Sequence, residues 1–556
     1  MRLESEFKSP QSEYRGVPFW SWNDELKVEE LRRQIKEMDE KGLGGFFMHS
    51  RIGLITPYLS KKWMECIKAC VKEAKKRGMS AWLYDEDRWP SGFAGGKVPK
   101  MGEKYRQKFL VCREEKLGDA LLTADGSLLK EENKPLLIHK VEGTEDRGQK
   151  KDVRAQKEIK RAIKNPFLYF YALSAPLGEE WYNGYCYPDL LNGKVVDAFI
   201  KTTYSAYYKE VGKDFGGAVP GIFTDEPNYL QAHRYRYLGP IIPWTTDLPK
   251  YFKEKNGYDL VEHLPSLFYE IGDFTKYRYD FWATVTLLFA ESYSKRLYDW
   301  CDKHNLLYTG HYLAEDSLRS QIEVIGSAMV HYEYMHVPGI DHLGRNINDL
   351  ITPKQCSSVA HQLGKKRVLS ETYGCSGWNL SFEGMKWIGD WEYVLGVNLL
   401  NPHLCLYSAK GCRKRDHPPS LYYHQPWWKE HKLIGDYFAR LSFILSQGEF
   451  KADILVIHPL GSAWATYSPL DTKVVDKLNK SLVELSRTLS ELKRDFDFGE
   501  ELIMERYAKV EGDRLKVGKM SYKVVLLPPL IVLRESTFNL LRQFISQGGK
   551  VIALRA

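Results

Sequence analysis

At 556 residues the chain is too long for one ordinary core, so two or three domains are expected. Hydrophobic residues at 43% and charged residues at 27% exclude a disordered chain, and no run of about eighteen apolar residues is present to cross a membrane. The net charge of +8 comes from 80 basic residues against 72 acidic ones spread along the chain, with no basic block interleaved with aromatics, so nucleic acid is not an expected partner. The first residues lack an apolar signal core, and the nine cysteines show no C-x-x-C pair or zinc spacing, so a cytoplasmic, thiol-reduced protein is expected.

The first strand, 16–23, ends in Trp22 and Asn23. Residues 25–41 repeat apolar positions at helical spacing and stop at Gly42; the strand at 44–51 then ends in His49 and Arg51. A second amphipathic helix over 60–77 stops at Gly78, and a third strand over 81–86 ends in Asp85 and Glu86, followed by the loop Asp87-Arg88-Trp89-Pro90-Ser91-Gly92. Strand and helix alternating at about thirty residues predict βαβ units and a parallel sheet. Residues from about 100 to 175 break the rhythm and read as a β-rich insertion with a charged, solvated arm over 145–164.

The rhythm resumes with a helix over 195–211 and the stretch Pro220-Gly221-Ile222-Phe223-Thr224-Asp225-Glu226-Pro227, where an apolar strand stops at two carboxylates. Pro227 ends that strand and biases Glu226 towards an extended backbone. A helical region including 274–304 follows. Strands are then expected at 306–311, ending in His311 with Glu315 and Asp316 beyond it; at 328–334, with Tyr332 and Glu333; at 368–373, with Glu371 and Tyr373; and at 401–407, with His403. Eight strands, each ending in polar groups, predict a (β/α)8 TIM barrel over residues 1–430. Residues 431–556 alternate again, with strands near 452–459, 523–529 and 550–554 and helices over 474–492 and 538–548. They read as a smaller flavodoxin-like α/β domain, without a glycine-rich phosphate loop.

All eight strand ends of a barrel face one bowl, so groups distant in sequence meet there. This bowl collects Asn23, His49, Asp85, Glu86, Asp225, Glu226, His311, Glu315, Glu333, Glu371 and His403, ringed by Trp22, Trp89, Tyr332, Tyr373 and Trp378. No nucleophile elbow or H-E-x-x-H is present. A carboxylate-rich, aromatic-lined bowl suits glycoside hydrolysis, in which one carboxylic acid protonates the leaving oxygen and a carboxylate attacks or activates water. Glu226, after strand four, and Glu371, after strand seven, are the leading catalytic pair, with Glu333 competing as base. Asp225 would orient a neighbour or hold a sugar hydroxyl. Asp85 and Glu86 would bind hydroxyls or pair with Arg88, and His49, His311 and His403 would contact the carbohydrate. Hydrolysis of this kind requires no cofactor, although the carboxylates could hold Ca²⁺. A carbohydrate-binding barrel without catalysis, or a metal-assisted lyase, would use the same bowl.

Trp20-Ser21-Trp22-Asn23, the Gly-Gly-Phe-Phe-Met-His run at 44–49, Asp85-Glu86 with Trp89-Pro90-Ser91-Gly92, and the Phe-Thr-Asp-Glu run ending at Glu226 resemble the barrel of glycoside hydrolase family 106, over roughly residues 15–430. The resemblance implies an exo-acting, inverting α-L-rhamnosidase, with Glu226 as acid, Glu333 or Glu371 as base, and calcium near the sugar. The Thr-Asp-Glu-Pro form is also similar to the strand-four acid motif of retaining barrel glycosidases. The second domain resembles the flavodoxin-like domain of family 42 β-galactosidases, which implies a galactose-specific alternative and assembly as a homo-oligomer through that domain.

Overall fold

The helix Lys61–Arg77 shows how local sequence becomes architecture. Ser60 caps its start, the Oγ accepting from Trp63 N at 3.2 Å, and Gly78 ends it at φ +69°, a conformation that glycine adopts without strain. Trp63, Cys66, Ile67, Cys70 and Ala74 form the buried stripe between these stops. The helix Val28–Glu40 buries Leu31, Gln34, Ile35 and Met38 and packs on it, while Trp20 Nε1 donates to Gln34 Oε1 at 2.8 Å, tying the pair to a parallel sheet.

The computed structural model describes residues 2–114, 121–122, 128–129, 135–140 and 167–554. Its largest sheet is an eight-stave parallel barrel. The staves are Phe19–Trp22, Gly45–Ser50, Ser80–Tyr84, Gly221–Asp225, Leu307–His311, Val337–His342 and Leu369–Thr372, with the eighth in two pieces, Leu399–Pro402 and Cys405–Leu406. The first piece pairs with stave seven and the second with stave one, as Trp20↔Cys405. Val17 N donates to Leu400 O at 3.0 Å and Asn401 Nδ2 to Val17 O at 2.8 Å, which closes the ring. Phe19, Phe47, Trp82, Phe223, Val337, Leu369 and Leu399 fill the interior as one apolar cluster.

Stave six corrects the expectation. Residues 328–332 form a short helix, Ala328–Tyr332, and the strand comes later, at Val337–His342. In its sequence Val-Pro-Gly-Ile-Asp-His, a proline and a glycine sit in a strand buried inside a closed ring, which hides its periodicity.

The insertion is β-rich. Lys108–Arg113, Leu137–Lys140 and Phe167–Ser174 form an antiparallel sheet, joined by Ile241–Trp244 from beyond stave four, a strand the sequence reading does not contain. The charged arm over 145–164 lies outside the described residues. After the barrel, the helix His431–Leu445 packs on the barrel's outer layer: Tyr14 meets Phe443 edge-on at 5.1 Å and Arg15 pairs with Asp436 at 2.8 Å. The second domain is a four-stranded parallel sheet in the order Phe496–Gly499, Ile454–Ile457, Val524–Leu527, Lys550–Ala553. By chain order this is 2-1-3-4, the flavodoxin-like sequence of strands. A three-stranded antiparallel sheet, Ala508–Glu511, Arg514–Val517 and Met520–Tyr522, is appended to it. No helix among the described residues is long and apolar enough to span a membrane.

Candidate active site

Strand parity builds the site. Residues two beyond the apolar interior layer are polar: Phe47 is followed by His49, Phe223 by Asp225, Gly339 by Asp341 and Leu369 by Glu371. Sheet register sets them side by side, with His311 opposite Asp225 and Asp341 opposite Glu371. His311 is the hub. Its Nε2 lies 3.0 Å from Asp225 Oδ1 and its Nδ1 3.6 Å from Glu371 Oε2. Asp225, His311 and Glu371 bring ligand-type atoms within 4.8 Å of one another, and so do Glu226, His311 and Asp341.

Burial alone would strip the His311 proton, but the bond to Asp225 and the charges of Asp225, Asp341 and Glu371 outweigh it and raise the pKa well above the ordinary value. Asp225, also buried, is lowered by that bond, by His311 and His49, and by the Tyr84 hydroxyl that donates to its other oxygen. Burial, then the charges of Asp225 and Asp341, push Glu226 up to about 8. Asp341 is raised to about 6 by burial and the Asp225 charge, and Glu371 well above the carboxylate range by burial and the charges of Asp341 and Asp225. Among the described residues no side-chain oxygen of Glu226, Asp341 or Glu371 accepts a hydrogen bond, and the buried Asp341 Oδ1 has no partner. Carboxyls in that state, Glu371 buried and Glu226 and Asp341 half-buried, hold protons, or meet a ligand's hydroxyls or a cation. Glu226 itself has φ +49°, in the left-handed region, not the extended backbone expected before Pro227; held strain of this kind clusters at functional sites.

The other expected residues divide into those in the bowl and those outside it. His49 stacks on Tyr84 at 3.7 Å and accepts from Arg51 Nη1 at 3.0 Å; burial and Arg51 lower its pKa to about 3, so the ring is neutral. His403 Nε2 stands 3.8 Å from Glu371 and is likewise neutral, through burial and the nearby Arg51. Trp89 covers the Arg51 guanidinium at 4.0 Å, and Trp378 sits at the outer rim, 37% exposed, donating to Lys414 O. Glu315 is buried at the edge of the cluster and accepts from Tyr312 N at 2.9 Å and the Tyr332 hydroxyl at 2.7 Å, so Tyr332 supports Glu315 from behind and does not face the bowl.

Several expectations are corrected. Glu333 precedes stave six, at the opposite end of the barrel from Glu226, and binds Arg506 and the Tyr507 hydroxyl of the second domain. Asp341 occupies the stave-six place at the mouth, which the sequence hides because Val337–His342 lacks a strand period. Trp22 faces outward against Trp63, with ring centroids 4.9 Å apart. Asp85 has the outward parity of stave three and accepts from Ser91 Oγ and from the Tyr204 hydroxyl at 2.8 Å. Glu86 accepts four backbone N–H groups, from Asp87, Gly92, Ala94 and Gly95 at 2.7–3.0 Å, and thereby shapes the loop instead of meeting a sugar. Arg88 pairs with Asp87, not with Asp85 or Glu86. Asn23 spends its amide on Ser408, and the Tyr373 hydroxyl donates to Met385 O behind the barrel.

With this geometry in place, the comparisons decide the family. The sequence model of glycoside hydrolase family 106, described as alpha-L-rhamnosidase, matches residues 188–555. The chain belongs to this family. The match takes in the second domain as well as staves four to eight, so both domains lie within the family pattern. A curated relative from Formosa agariphila, named "Putative beta-glucuronidase", is 26% identical over 375 residues, covering 66% of this chain and 29% of its own length. The chain therefore spans under a third of that relative. Among solved structures, a rhamnosidase from Novosphingobium sp. PP1Y superposes with a TM-score of 0.67 at 15% identity, over 99% of this chain and 70% of that one. A beta-galactosidase from Bacillus circulans sp. alkalophilus follows at 0.57 and 11% identity, over 98% and 71%. At these identities the likeness is one of fold. It covers the barrel and the flavodoxin-like domain together.

Proposed function

We propose that this family 106 chain hydrolyses a terminal α-L-rhamnosyl linkage, with Glu226 as general acid and Glu371 as the base that activates water. The observation that carries the reading is Glu226: a carboxyl without hydrogen-bond donors, left-handed backbone, and a pKa held near 8 beside Asp225 and Asp341. It can therefore give a proton to a glycosidic oxygen at neutral pH. Glu371 lies on the other side of His311, flanked by the His403 and His311 rings, which can hold it and a water in place; it acts as base in its ionised form, which the charged His311 ring and Arg51 favour against burial and the Asp341 charge.

The donor set also fits Ca²⁺, which favours carboxylate oxygens: Asp225 and Glu371, whose oxygens lie within 4.8 Å of one another, would hold the ion, with the unpartnered Asp341 Oδ1 on the neighbouring stave. When bound it would neutralise their repulsion and offer coordination to sugar hydroxyls. Added Ca²⁺ should raise the thermal midpoint and release protons into unbuffered solution; neither effect in wild type, or both unchanged in Asp341→Asn, would remove the ion from the account.

A panel of nitrophenyl glycosides, including β-D-glucuronide and β-D-galactoside, tests the substrate. The α-L-rhamnoside is expected to be turned over with inversion, read by NMR of the first-formed anomer, and hydrolysis of none of them would refute the proposal. One observation favours a second reading. Glu226 and Asp341 oxygens approach within 4.8 Å, a spacing suited to a retaining pair with Asp341 as nucleophile. Retention, with a fluorosugar trapped on Asp341, would decide for it. A cytoplasmic location belongs to the same proposal and is supported by nine cysteines that are all thiols.

A further inference from the structure

Beside the acidic bowl, at the same end of the barrel, lies an open cavity of about 310 Å³ between the loop after stave two and the loop after stave three, with Asn183 on its wall. Its charge is the reverse of the bowl's. Arg51, Arg88 and Lys97 line it against one carboxylate, Asp87. That carboxylate is already engaged, accepting from Ser50 Oγ and from Asn183 Nδ2, each at 3.0 Å.

The cations are set in place from behind. Arg51 donates to Asp416 through Nε at 2.8 Å and Nη2 at 3.1 Å, and Trp89 covers its plane. Its N–H groups are largely used, so it contributes charge more than new hydrogen bonds. Arg88 is held by one bond, Nη2 to Asn183 Oδ1 at 2.9 Å, and stands 3.6 Å from Asp87, which leaves most of its donors free. The ammonium of the exposed Lys97 has no hydrogen bond or ion pair among the described residues. Fixed guanidinium groups and a free ammonium at the wall of a small cavity are suited to an oxyanion. Little ordering remains to be done when it binds.

Arg51 joins the two compartments, since its Nη1 reaches His49 in the bowl. An anionic sugar in the bowl would meet Asp225 and Asp341, both ionised at neutral pH, with the His311 cation already paired to Asp225. The unit next to the cleaved sugar would meet the cationic cavity. We infer that this cavity is a subsite for a sugar bearing an oxyanion, a uronic acid carboxylate or a sulfate ester, so that the natural substrate is an acidic glycan from which a neutral sugar is removed. The adjacency to cleavage rests on the hydrolase reading above; the binding of the anion does not.

The test uses the full chain and three probes at low salt: D-glucuronate, D-glucose 6-sulfate and D-glucose, followed by ligand-observed NMR or calorimetry. At least one anionic probe is expected to bind ten-fold or more tightly than glucose, and which one identifies the oxyanion. Added salt should weaken it. Lys97→Glu should abolish most of that preference while leaving the unfolding midpoint unchanged, because the Lys97 ammonium carries no structural contact among the described residues; Arg88→Gln, which also gives up the bond to Asn183, should abolish it too. Glu226→Gln should keep it. Equal binding of all three sugars, or full preference in Lys97→Glu, would overturn the subsite. Loss of the rhamnosidase reading with the preference intact would show that the two claims fail separately.

Discussion

His311 works as a positive charge among four carboxyl groups, paired to the ionised Asp225, and that arrangement makes it costly to remove. Asp225 is ionised because the ring is charged, and the ring is charged because Asp225 and its neighbours outweigh its burial. Breaking one partner of a buried pair leaves the other without compensation. His311→Asn is therefore expected to cost about 3 kcal/mol in urea unfolding, of the order found for buried pairs, together with nearly all activity. A change within about 0.5 kcal/mol, the usual range for surface substitutions, would mean that the ring is neutral in the native protein. At this scale the sequence was readable in part. Asp225, Glu226, His311, Glu371, His49 and His403 were legible as strand-end polar groups. Asp85 was not separable from them, because parity and not proximity to the strand end decides which face a side chain takes. One residue of offset turned Asp85 towards Tyr204, outside the ring.

Among the elements, the loop from Asp87 to Gly95 shows how a motif can be real and its role different. Its four N–H groups converge on Glu86, so the acidic pair is the loop's frame. Glu86→Gln replaces an acceptor oxygen with a donor facing those N–H groups, and about 2 kcal/mol of stability should be lost, the scale of leaving buried donors unpaired, along with new protease cutting within 87–97. An intact loop and unchanged stability would contradict the framing role. Asp85 adds a pH signature. Burial lifts it to about 7 from 3.8, more than the Ser91 and Tyr204 bonds lower it. A raised native pKa means that the folded state holds its proton longer than the unfolded one, so stability falls as pH rises from about 4 to about 7. Asp85→Asn should flatten that part of the stability curve, which amounts to up to about 4 kcal/mol. An unaltered pH profile would show that Asp85 is ionised throughout. Stave six was the element least legible in sequence, since Val337-Pro338-Gly339-Ile340 lacks alternation and the preceding Ala328–Tyr332 is apolar enough to look like a strand.

Across the whole molecule, the second domain reaches the bowl through a buried polar chain. His458, at the end of its first strand, lies 3.0 Å from Gln355 Oε1; Gln355 and Gln321 both donate to Glu315 O at 3.0 Å; and the Glu315 carboxylate accepts from Tyr332 and stands beside Asp341. Repetition in the sequence was enough to show two α/β units, but a contact between residues 103 positions apart leaves no local trace. His458→Leu should lower kcat by about ten-fold, the loss from roughly 1.4 kcal/mol of misplacement, with KM little changed and the second domain still folded by circular dichroism. A wild-type kcat would show that the chain is packing alone.

The account turns on Glu226 giving its proton to the departing oxygen, and the leaving-group dependence of Glu226→Gln measures this most directly. With a dinitrophenyl α-L-rhamnoside, whose leaving group needs no proton, the variant should keep its rate of bond cleavage within about ten-fold of wild type. With an alkyl rhamnoside it should fall by about 10²–10⁴-fold, the range for losing a general acid. Equal loss on both substrates, or no loss on either, would contradict the assignment.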